Sequence, residues 1–126
     1  MKKQAVCTTA APTPIGAYSQ GIVANGFIFT AGFVPKNPDT GAIPDGIKEQ
    51  TRQVLRNIAA VLESQGATLD DVVKVTAHLE NPAADFAEFN LVYAEFFQEP
   101  YPARTTVGSK LANFLVEIDV IALLPE

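Results

Sequence analysis

Apolar and polar residues recur along this chain with two different periods, which predicts both helices and strands. From position 47 to 65 the apolar residues fall on one face of a helix: Ile47, Val54, Leu55, Ile58, Val61 and Leu62. This pattern predicts a helix that begins near Ile47 after an Asp45 cap and that ends at Gly66. A second helix is predicted over 83–97, where the aromatic residues form a stripe: Phe86, Phe89, Tyr93, Phe96 and Phe97.

Other segments show the pattern of strands. Asn25-Gly26 separates two β-prone runs, which predicts a hairpin because both residues accept positive φ. Further strands are predicted over 72–79, 104–108 and 115–123, with one more short strand near Gln4. The order of these elements favours an α+β two-layer sandwich, in which two helices cover one face of a mixed sheet.

The final predicted strand carries large apolar residues on both of its faces. One face holds Leu115, Glu117, Asp119 and Ile121, and the other holds Val116, Ile118, Val120 and Ala122. A strand that is apolar on both sides indicates burial on both sides. We therefore expect an oligomer.

Length and composition restrict the class of protein. A chain of 126 residues fits a single domain, residues 1–126. Its formal charge of −5 opposes nonspecific binding to nucleic acid. A single cysteine, Cys7, excludes an intrachain disulfide, and no apolar run reaches the roughly 20 residues that span a bilayer. The expectation is a cytoplasmic protein that binds neither nucleic acid nor membrane.

Six short motifs occur in the same order as in one known family. They are Gly16-Ala17-Tyr18-Ser19-Gln20, Ala31-Gly32 with the following turn at 35–41, Gln50-Thr51 with Asn57, the second-helix set around Asn90, Pro102-Ala103-Arg104-Thr105-Thr106-Val107, and Val116-Glu117-Ile118. Each motif is weak alone, but the ordered set resembles the RidA/YjgF/L-PSP family over nearly the whole chain.

The resemblance implies a fold, an assembly and an activity. It implies a chorismate-mutase-like fold in a barrel-like homotrimer, with three sites in the clefts between subunits. It also implies hydrolysis of imines such as 2-iminopropanoate, the tautomer of 2-aminoacrylate, with no cofactor or metal. The family often has Pro, Gln and Cys where this chain has Ala17, Phe33 and Thr106, and the turn before Glu117 is about two residues shorter here.

Two charged residues are the main catalytic candidates. The guanidinium of Arg104 matches a carboxylate at two points, and with the family resemblance we assign it to substrate carboxylate. Glu117 interrupts an apolar strand, where a carboxylate can serve as a general base that activates water. From the residues alone, the alternative is structural: Arg104 would pair with Glu117 or Asp119, or Glu117 would lie on a solvated face.

The remaining candidates are uncharged. Tyr18 is expected to line the cleft as a third catalytic residue, with core or interface packing as its alternative. Thr106 shares a strand face with Arg104, and its backbone N–H is a candidate donor to the substrate carboxylate. Gly32 and Phe33 are assigned to the substrate-binding wall, and Asn90 either lines the site or holds neighbouring backbone in place.

The sequence thus predicts a hydrolytic deaminase that converts 2-aminoacrylate/2-iminopropanoate into pyruvate and ammonia. One alternative is a trimer that binds a small carboxylate without turnover. Another keeps the reaction but accepts a larger enamine such as 2-aminomuconate. A third alternative, nuclease activity, fits poorly with the net charge and the single histidine, His78.

Overall fold

The computed structural model describes residues 2–126, which form a six-stranded sheet and two α-helices. The elements in chain order are β1 (Gln4–Val6), β2 (Gly21–Ala24), β3 (Phe27–Thr30), α1 (Ile47–Glu63), a short 3-10 helix (Leu69–Asp71), β4 (Val72–Leu79), α2 (Pro82–Phe96), β5 (Ala103–Gly108) and β6 (Val116–Leu123). No helix within residues 2–126 is long and apolar enough to cross a membrane.

The sheet is mixed, as predicted, and its strand order is β1-β2-β3-β6-β4-β5. Strands β4 and β5 are parallel, and every other neighbouring pair is antiparallel. The parallel pair follows from the long connection through α2, since parallel strands need a crossover. The hairpin β2–β3 turns at Asn25 and Gly26, whose φ angles of 52° and 83° confirm the predicted turn.

The core lies between the sheet and the two helices. All six apolar residues predicted for the inner face of α1 are buried. They face the alternate residues of the two central strands, of which Val75, Ala77, Val116 and Ile118 are fully buried. Both helices therefore cover the same face of the sheet, which confirms the predicted α+β sandwich.

The start of α1 differs from the prediction. Gly46, with φ of 84°, occupies the position before the helix, and no side chain caps it, so the predicted Asp45 cap is wrong. The local reason is that Gly46 adopts a left-handed φ, which places Asp45 one residue too far from the first turn. The helix ends at Glu63, and Gly66 then adopts the positive φ of 80° expected at its end.

The second face of the sheet is covered by no helix of the described chain. Its polar side chains lie on the central strands and include Thr76, His78, Glu117 and Asp119. Its apolar side chains lie around them, with Phe29, Val107 and Leu123 each about two-fifths exposed (42%, 39% and 45%). We call this surface the open face. The expectation that it packs against another subunit stays a prediction.

Candidate active site

Arg104 lies on the helix side of the sheet. In the register of β4 and β5, Arg104 is opposite Val75 and Thr106 is opposite Ala77. Paired residues share a face, and both partners are buried beneath the helices. Arg104 and Thr106 therefore lie on one face, as the sequence predicted, and that face is the one that α2 covers.

Three aromatic rings of α2 surround the guanidinium of Arg104. Its Cζ atom lies 4.6 Å from the ring centre of Tyr93, 5.5 Å from that of Phe89 and 5.7 Å from that of Phe86. These residues belong to the predicted aromatic stripe, so the stripe serves both the core and the arginine. The rings fix the cation in place without neutralising its charge.

Among residues 2–126, no carboxylate pairs with Arg104. The three ion pairs found within residues 2–126 join Lys48 to Glu88 and Arg52 to Glu49 and Glu95. The sequence left open a structural salt bridge from Arg104 to Glu117 or Asp119. The described residues contain no such pair. A half-buried cation without a partner is costly unless an anion binds.

Arg104 opens into a cavity of about 400 Å³. The residues that line it are Asn90, Tyr93, Ala94, Tyr101, Pro102 and Arg104. Its wall is mainly apolar, with the guanidinium as the only charged group. A cavity of this kind suits a small molecule that has an anionic end and an apolar or unsaturated body. We call it the arginine cavity.

Two hydroxyl oxygens on this side of the sheet, Tyr93 Oη and Thr106 Oγ1, are buried, and neither makes a hydrogen bond of ordinary geometry within residues 2–126. Burial raises the pKa of the Tyr93 phenol above its ordinary value, and the nearby Arg104 cation opposes part of that rise. The phenol therefore keeps its proton at neutral pH. Sequence reasoning placed Tyr93 only in the aromatic stripe, since nothing in the pattern shows that its hydroxyl reaches Arg104.

Glu117 lies on the opposite side of the sheet. It is paired with His78 in the register of β4 and β6, and both point to the open face. The carboxylate packs closely on Gly32, where a Cβ would stand only 2.6 Å from Glu117 Oε2. Gly32 therefore leaves the space that the carboxylate occupies, a role the sequence indicated only as a close backbone approach.

Tyr18 and Gly32 line a smaller cavity, of about 100 Å³. Tyr18 is 51% exposed, and its hydroxyl accepts a hydrogen bond from the Ile15 N–H at 3.3 Å. Tyr18 is therefore a surface residue of the cleft and not a core residue. Phe33 borders the same cavity, but it is only 5% exposed and packs in the hydrophobic core. Its backbone pairs with Ile118, which fixes Gly32 beside Glu117.

Buried amide side chains hold the loops around this smaller cavity. Gln20 is 2% exposed and bonds to Thr8, Ala11 and Pro12, which secures the chain just before Tyr18. Asn57 is 1% exposed and donates to the carbonyl oxygens of Val34 and Lys36, both at 3.0 Å. These bonds keep the segment around Gly32 in place.

The predicted site residues thus fall into two groups. Arg104, Thr106 and Asn90 lie on the helix side, and Tyr18, Gly32 and Glu117 lie on the other side. The sheet separates the two groups within one chain. The sequence revealed which residues share a strand face, but the register of β5 against β4 decides which face that is, and this register depends on contacts far apart in the chain.

No metal centre accompanies either group. Residues 2–126 contain no cluster of three or more His, Cys, Asp or Glu side chains that could hold a metal ion. The solitary histidine bonds through Nδ1 to the Ser109 hydroxyl at 2.7 Å. Arg104 in the first group and Glu117 in the second are the charged side chains among these predicted site residues.

Comparisons with known proteins agree on one family. The family model "Endoribonuclease L-PSP" matches residues 8–124. A RutC family protein of Pyrococcus abyssi is 50% identical over 125 residues, covering 97% of this chain and 98% of that protein. Reactive Intermediate Deaminase A of Arabidopsis thaliana, described as chloroplastic, is 40% identical over 127 residues. The matched region covers 98% of this chain and 67% of that protein.

A solved structure of another protein has a similar backbone. The crystal structure of E. coli TdcF with bound serine superposes with a TM-score of 0.90 at 35% sequence identity, covering 97% of this chain and 99% of that one. A similarity of this extent shows that the fold described above is the fold of this group of proteins.

Proposed function

This chain belongs to the L-PSP family of Rid proteins, and from that premise we propose that it is a hydrolytic deaminase of reactive enamines and imines. The substrate is 2-aminoacrylate, which tautomerises to 2-iminopropanoate, and the products are pyruvate and ammonia. Arg104 holds the substrate carboxylate, and Glu117 activates the attacking water. The single observation that carries the proposal is an arginine cation without a carboxylate partner in an apolar cavity.

The reaction needs one binding cation and one base. Arg104 binds the carboxylate and so places the adjacent imine carbon in a fixed position. Glu117 accepts a proton from water as the oxygen attacks that carbon of the protonated imine, and the C=N bond becomes a C–N bond. The Glu117 carboxyl returns this proton to the nitrogen of the carbinolamine. As the C–N bond breaks and ammonia leaves, the hydroxyl proton passes to Glu117, the C=O bond of pyruvate forms, and the proton is then released to water. No covalent nucleophile is required, so Thr106 at the family's Cys position is compatible with the reaction.

Because Arg104 and Glu117 lie on opposite faces of one sheet, we propose that two chains form each site. The Arg104 side of one subunit faces the Tyr18–Gly32–Glu117 side of the next, and a closed ring of three subunits contains three such sites. The exposed apolar residues of the open face support this assembly. The bound serine in E. coli TdcF supports a small amino-acid-like ligand.

The proposal is tested by deamination of freshly generated 2-iminopropanoate, measured as loss of imine above the uncatalysed rate. We expect Arg104→Ala to abolish acceleration, because the carboxylate loses its cation. Glu117→Gln is expected to lower kcat about a hundredfold or more, since a general base contributes that much. The matched controls are Arg56→Ala and Glu63→Gln, which change exposed residues of α1 and leave the rate unchanged. Full activity of Arg104→Ala would reject the proposal.

Two variations on this function have distinguishable outcomes. A carboxylate-binding protein without turnover would bind pyruvate but accelerate no imine hydrolysis, and Glu117→Gln would change nothing. A deaminase for a larger enamine such as 2-aminomuconate would act on that compound faster than on 2-iminopropanoate.

A further inference from the structure

His78 is the only histidine of the chain, and the proposed reaction does not use it. It lies on β4 directly opposite Glu117 of β6, and both side chains point to the open face. Directly opposite residues on one face of an antiparallel pair have Cβ atoms about 4.5–5.5 Å apart. The imidazole is therefore the immediate cross-strand neighbour of the carboxylate that we propose as the base.

The imidazole is anchored at one of its two nitrogens. Nδ1 lies 2.7 Å from the Ser109 hydroxyl oxygen, and the Ser109 N–H donates to the Leu79 carbonyl oxygen at 3.0 Å. Nε2 makes no hydrogen bond within residues 2–126, yet it is not fully buried, so it is accessible from the open face. The hydrogen bond at one ring nitrogen decides which nitrogen carries the proton. A Ser109 hydroxyl that donates to Nδ1 leaves the proton on Nε2.

The Glu117 carboxylate has a different neighbour on each side of its strand. Gly32 lies on the β3 side and leaves space for Oε2, and His78 lies on the β4 side. Within residues 2–126 the carboxylate forms no ion pair, and its oxygens are not fully buried. Gly32 has no side-chain donor. The Nε2–H of His78 is therefore the side-chain donor that strand pairing brings next to the carboxylate.

The other charged groups on this face lie farther along the strands. Asp119 is diagonal to His78, and Lys74 lies one full turn of the pleat beyond Thr76 and bonds to Thr105 at 2.8 Å. Burial raises the pKa of the Asp119 carboxyl, and the charges of His78 and Lys74 oppose that rise. The charge of the imidazole therefore acts on a carboxylate of β6.

The remaining groups around the imidazole do not compete for it. On β5 the residue opposite His78 is the uncharged Val107. Past the strand ends, Glu80 accepts a hydrogen bond from the Leu111 N–H at 2.6 Å, and Lys110 is exposed. Glu117 is thus the directly opposed charged partner of His78.

We propose that His78 is a positioning residue for the base Glu117. In the neutral imidazole, the Ser109 hydroxyl donates to Nδ1, and Nε2–H donates to the carboxylate and holds it toward the water that it deprotonates. The Nε2–H bond closes in the substrate complex, since catalytic hydrogen bonds are often longer without ligand. This inference rests on the proposed function, because it concerns the base of that reaction.

The same pair makes the reaction depend on pH. When the pH falls, Nδ1 gains a proton and the Ser109 hydroxyl turns to accept from it. The imidazolium then attracts the carboxylate as an ion pair, which makes Glu117 a poorer acceptor of the proton from water. The kcat for 2-iminopropanoate should therefore decline between pH 8 and pH 5, the range in which a histidine changes its charge.

Two substitutions of His78 separate the donor from the charge. His78→Gln keeps a neutral N–H donor but cannot become a cation, so kcat should stay close to the wild-type value at pH 8 and lose the decline toward pH 5. His78→Phe keeps a ring without a donor and should lower kcat at pH 8 about tenfold, because a hydrogen bond to a charged group is lost. Both should leave the pyruvate Kd unchanged, since Arg104 belongs to the other group of site residues.

The anchor of the imidazole is tested in the same assay. Ser109→Ala should lower kcat in the same direction as His78→Phe but by less, because His78 keeps its donor and loses only its support. Ser64→Ala is the matched control, since that hydroxyl donates to the Val61 carbonyl oxygen at the end of α1, and its kcat should be unchanged. The inference is wrong if His78→Gln keeps the wild-type decline toward pH 5 or if His78→Phe has the wild-type kcat at pH 8.

A measurement without turnover separates this inference from the proposed function. In protein without a histidine tag, the imidazole NMR signals of His78 need no assignment, because no other histidine is present. Glu117→Gln should move the midpoint of their pH titration downward by about 0.5 pH unit or more, since the neighbouring negative charge is lost. Glu63→Gln on α1 should leave the midpoint unchanged.

An identical midpoint in wild type and Glu117→Gln would overturn the pairing, whatever the assay shows. The proposed function fails on different grounds. If the midpoint moves as expected but the wild type hydrolyses no imine, His78 and Glu117 interact as described and the deaminase reaction is not the one that they serve.

Discussion

Gly32 determines where the Glu117 carboxylate lies. A Cβ at this position would approach Glu117 Oε2 to 2.6 Å, and it would also lie 3.1 Å from the carboxyl carbon. Both distances are too short for ordinary contact, so a side chain at residue 32 would push the carboxylate away. The glycine thus controls the position of the proposed base without contributing a functional group of its own.

We predict that Gly32→Ala lowers kcat for 2-iminopropanoate about tenfold or more, because a displaced base removes its proton from water less efficiently. The pyruvate Kd should change little, since Arg104 belongs to the other group of site residues. Gly16→Ala is a suitable control, because a Cβ there meets only the ring of Tyr18 at an ordinary 3.7 Å. Wild-type kcat in Gly32→Ala would contradict the assigned role of Gly32.

A pH-dependent stability is expected from Asp119 on the open face. Burial raises the pKa of its carboxyl group, and the neighbouring His78 and Lys74 oppose part of that rise. A raised carboxyl pKa means that the folded state holds the proton more tightly than the unfolded state. Its contribution to stability is therefore complete below the unfolded pKa of about 3.9 and is lost as the pH rises through the folded pKa.

From this sign we predict that Asp119→Asn raises the Tm at pH 7 and that its advantage over the wild type disappears toward pH 3. Differential scanning calorimetry at a series of pH values provides the measurement. Asp39→Asn serves as the control, since it changes an exposed loop carboxylate. A variant that is no more stable than the wild type at pH 7 would show that His78 and Lys74 outweigh the burial of Asp119.

Among single residues, the sequence drew attention to Arg104 and Glu117 because charged groups within apolar strands need a partner. Their assignment to the substrate carboxylate and to water came from the family resemblance and stays a prediction. It gave Tyr93 only a packing role in the aromatic stripe, because the sequence does not show which strand packs opposite this helix. Nor did it show that the Phe33 side chain packs in the core while its backbone holds the neighbouring glycine beside Glu117.

At the scale of elements, local signals were sufficient for most of the fold. The hairpin at Asn25-Gly26 and strand β4 follow from turn chemistry and period-two alternation, and both are confirmed. The start of α1 was missed because the positive φ of Gly46 depends on how the preceding loop enters the helix. Gln50 fixes that entry by bonding to the Pro44 carbonyl and the Leu115 N–H, a contact between distant parts of the chain.

The sequence did not predict which strands pair, because strand pairing also depends on contacts between distant parts of the chain. Strand β6 lies between β3 and β4, so the last strand of the chain joins the N-terminal hairpin to the central part of the sheet. Nothing local in the residues of β6 specifies these partners. Its alternation, however, correctly separated the core face of Val116 and Ile118 from the face of Glu117. Elements were predictable, but their neighbours were not.

At the scale of the whole molecule, the proposed intersubunit site predicts complementation between two inactive variants. Arg104→Ala and Glu117→Gln chains are unfolded together, refolded and assayed with 2-iminopropanoate. In a randomly mixed ring of three, a site is intact when an intact Arg104 meets an intact Glu117 from the next chain. About one quarter of all sites satisfy this condition at equal amounts of the two chains.

We therefore expect the mixture to recover about one quarter of wild-type activity, while each variant refolded alone stays inactive. Assay of the two folded variants immediately after mixing, before subunits can exchange, provides the control. Size-exclusion chromatography verifies that the refolded mixture has assembled. If the assembled mixture recovers no activity, a single chain supplies both residues.

The placement of Arg104 and Glu117 on opposite faces of one sheet has a consequence for how this protein responds to dilution. An isolated chain can fold around its own core and still lack a complete site, so folding and activity become separate properties. If the proposed ring forms the site, specific activity is expected to rise with protein concentration until assembly is complete, and to fall on dilution while each chain stays folded. A newly synthesised chain is then expected to be inactive until it assembles, so the amount of the protein would set a threshold below which its substrate accumulates.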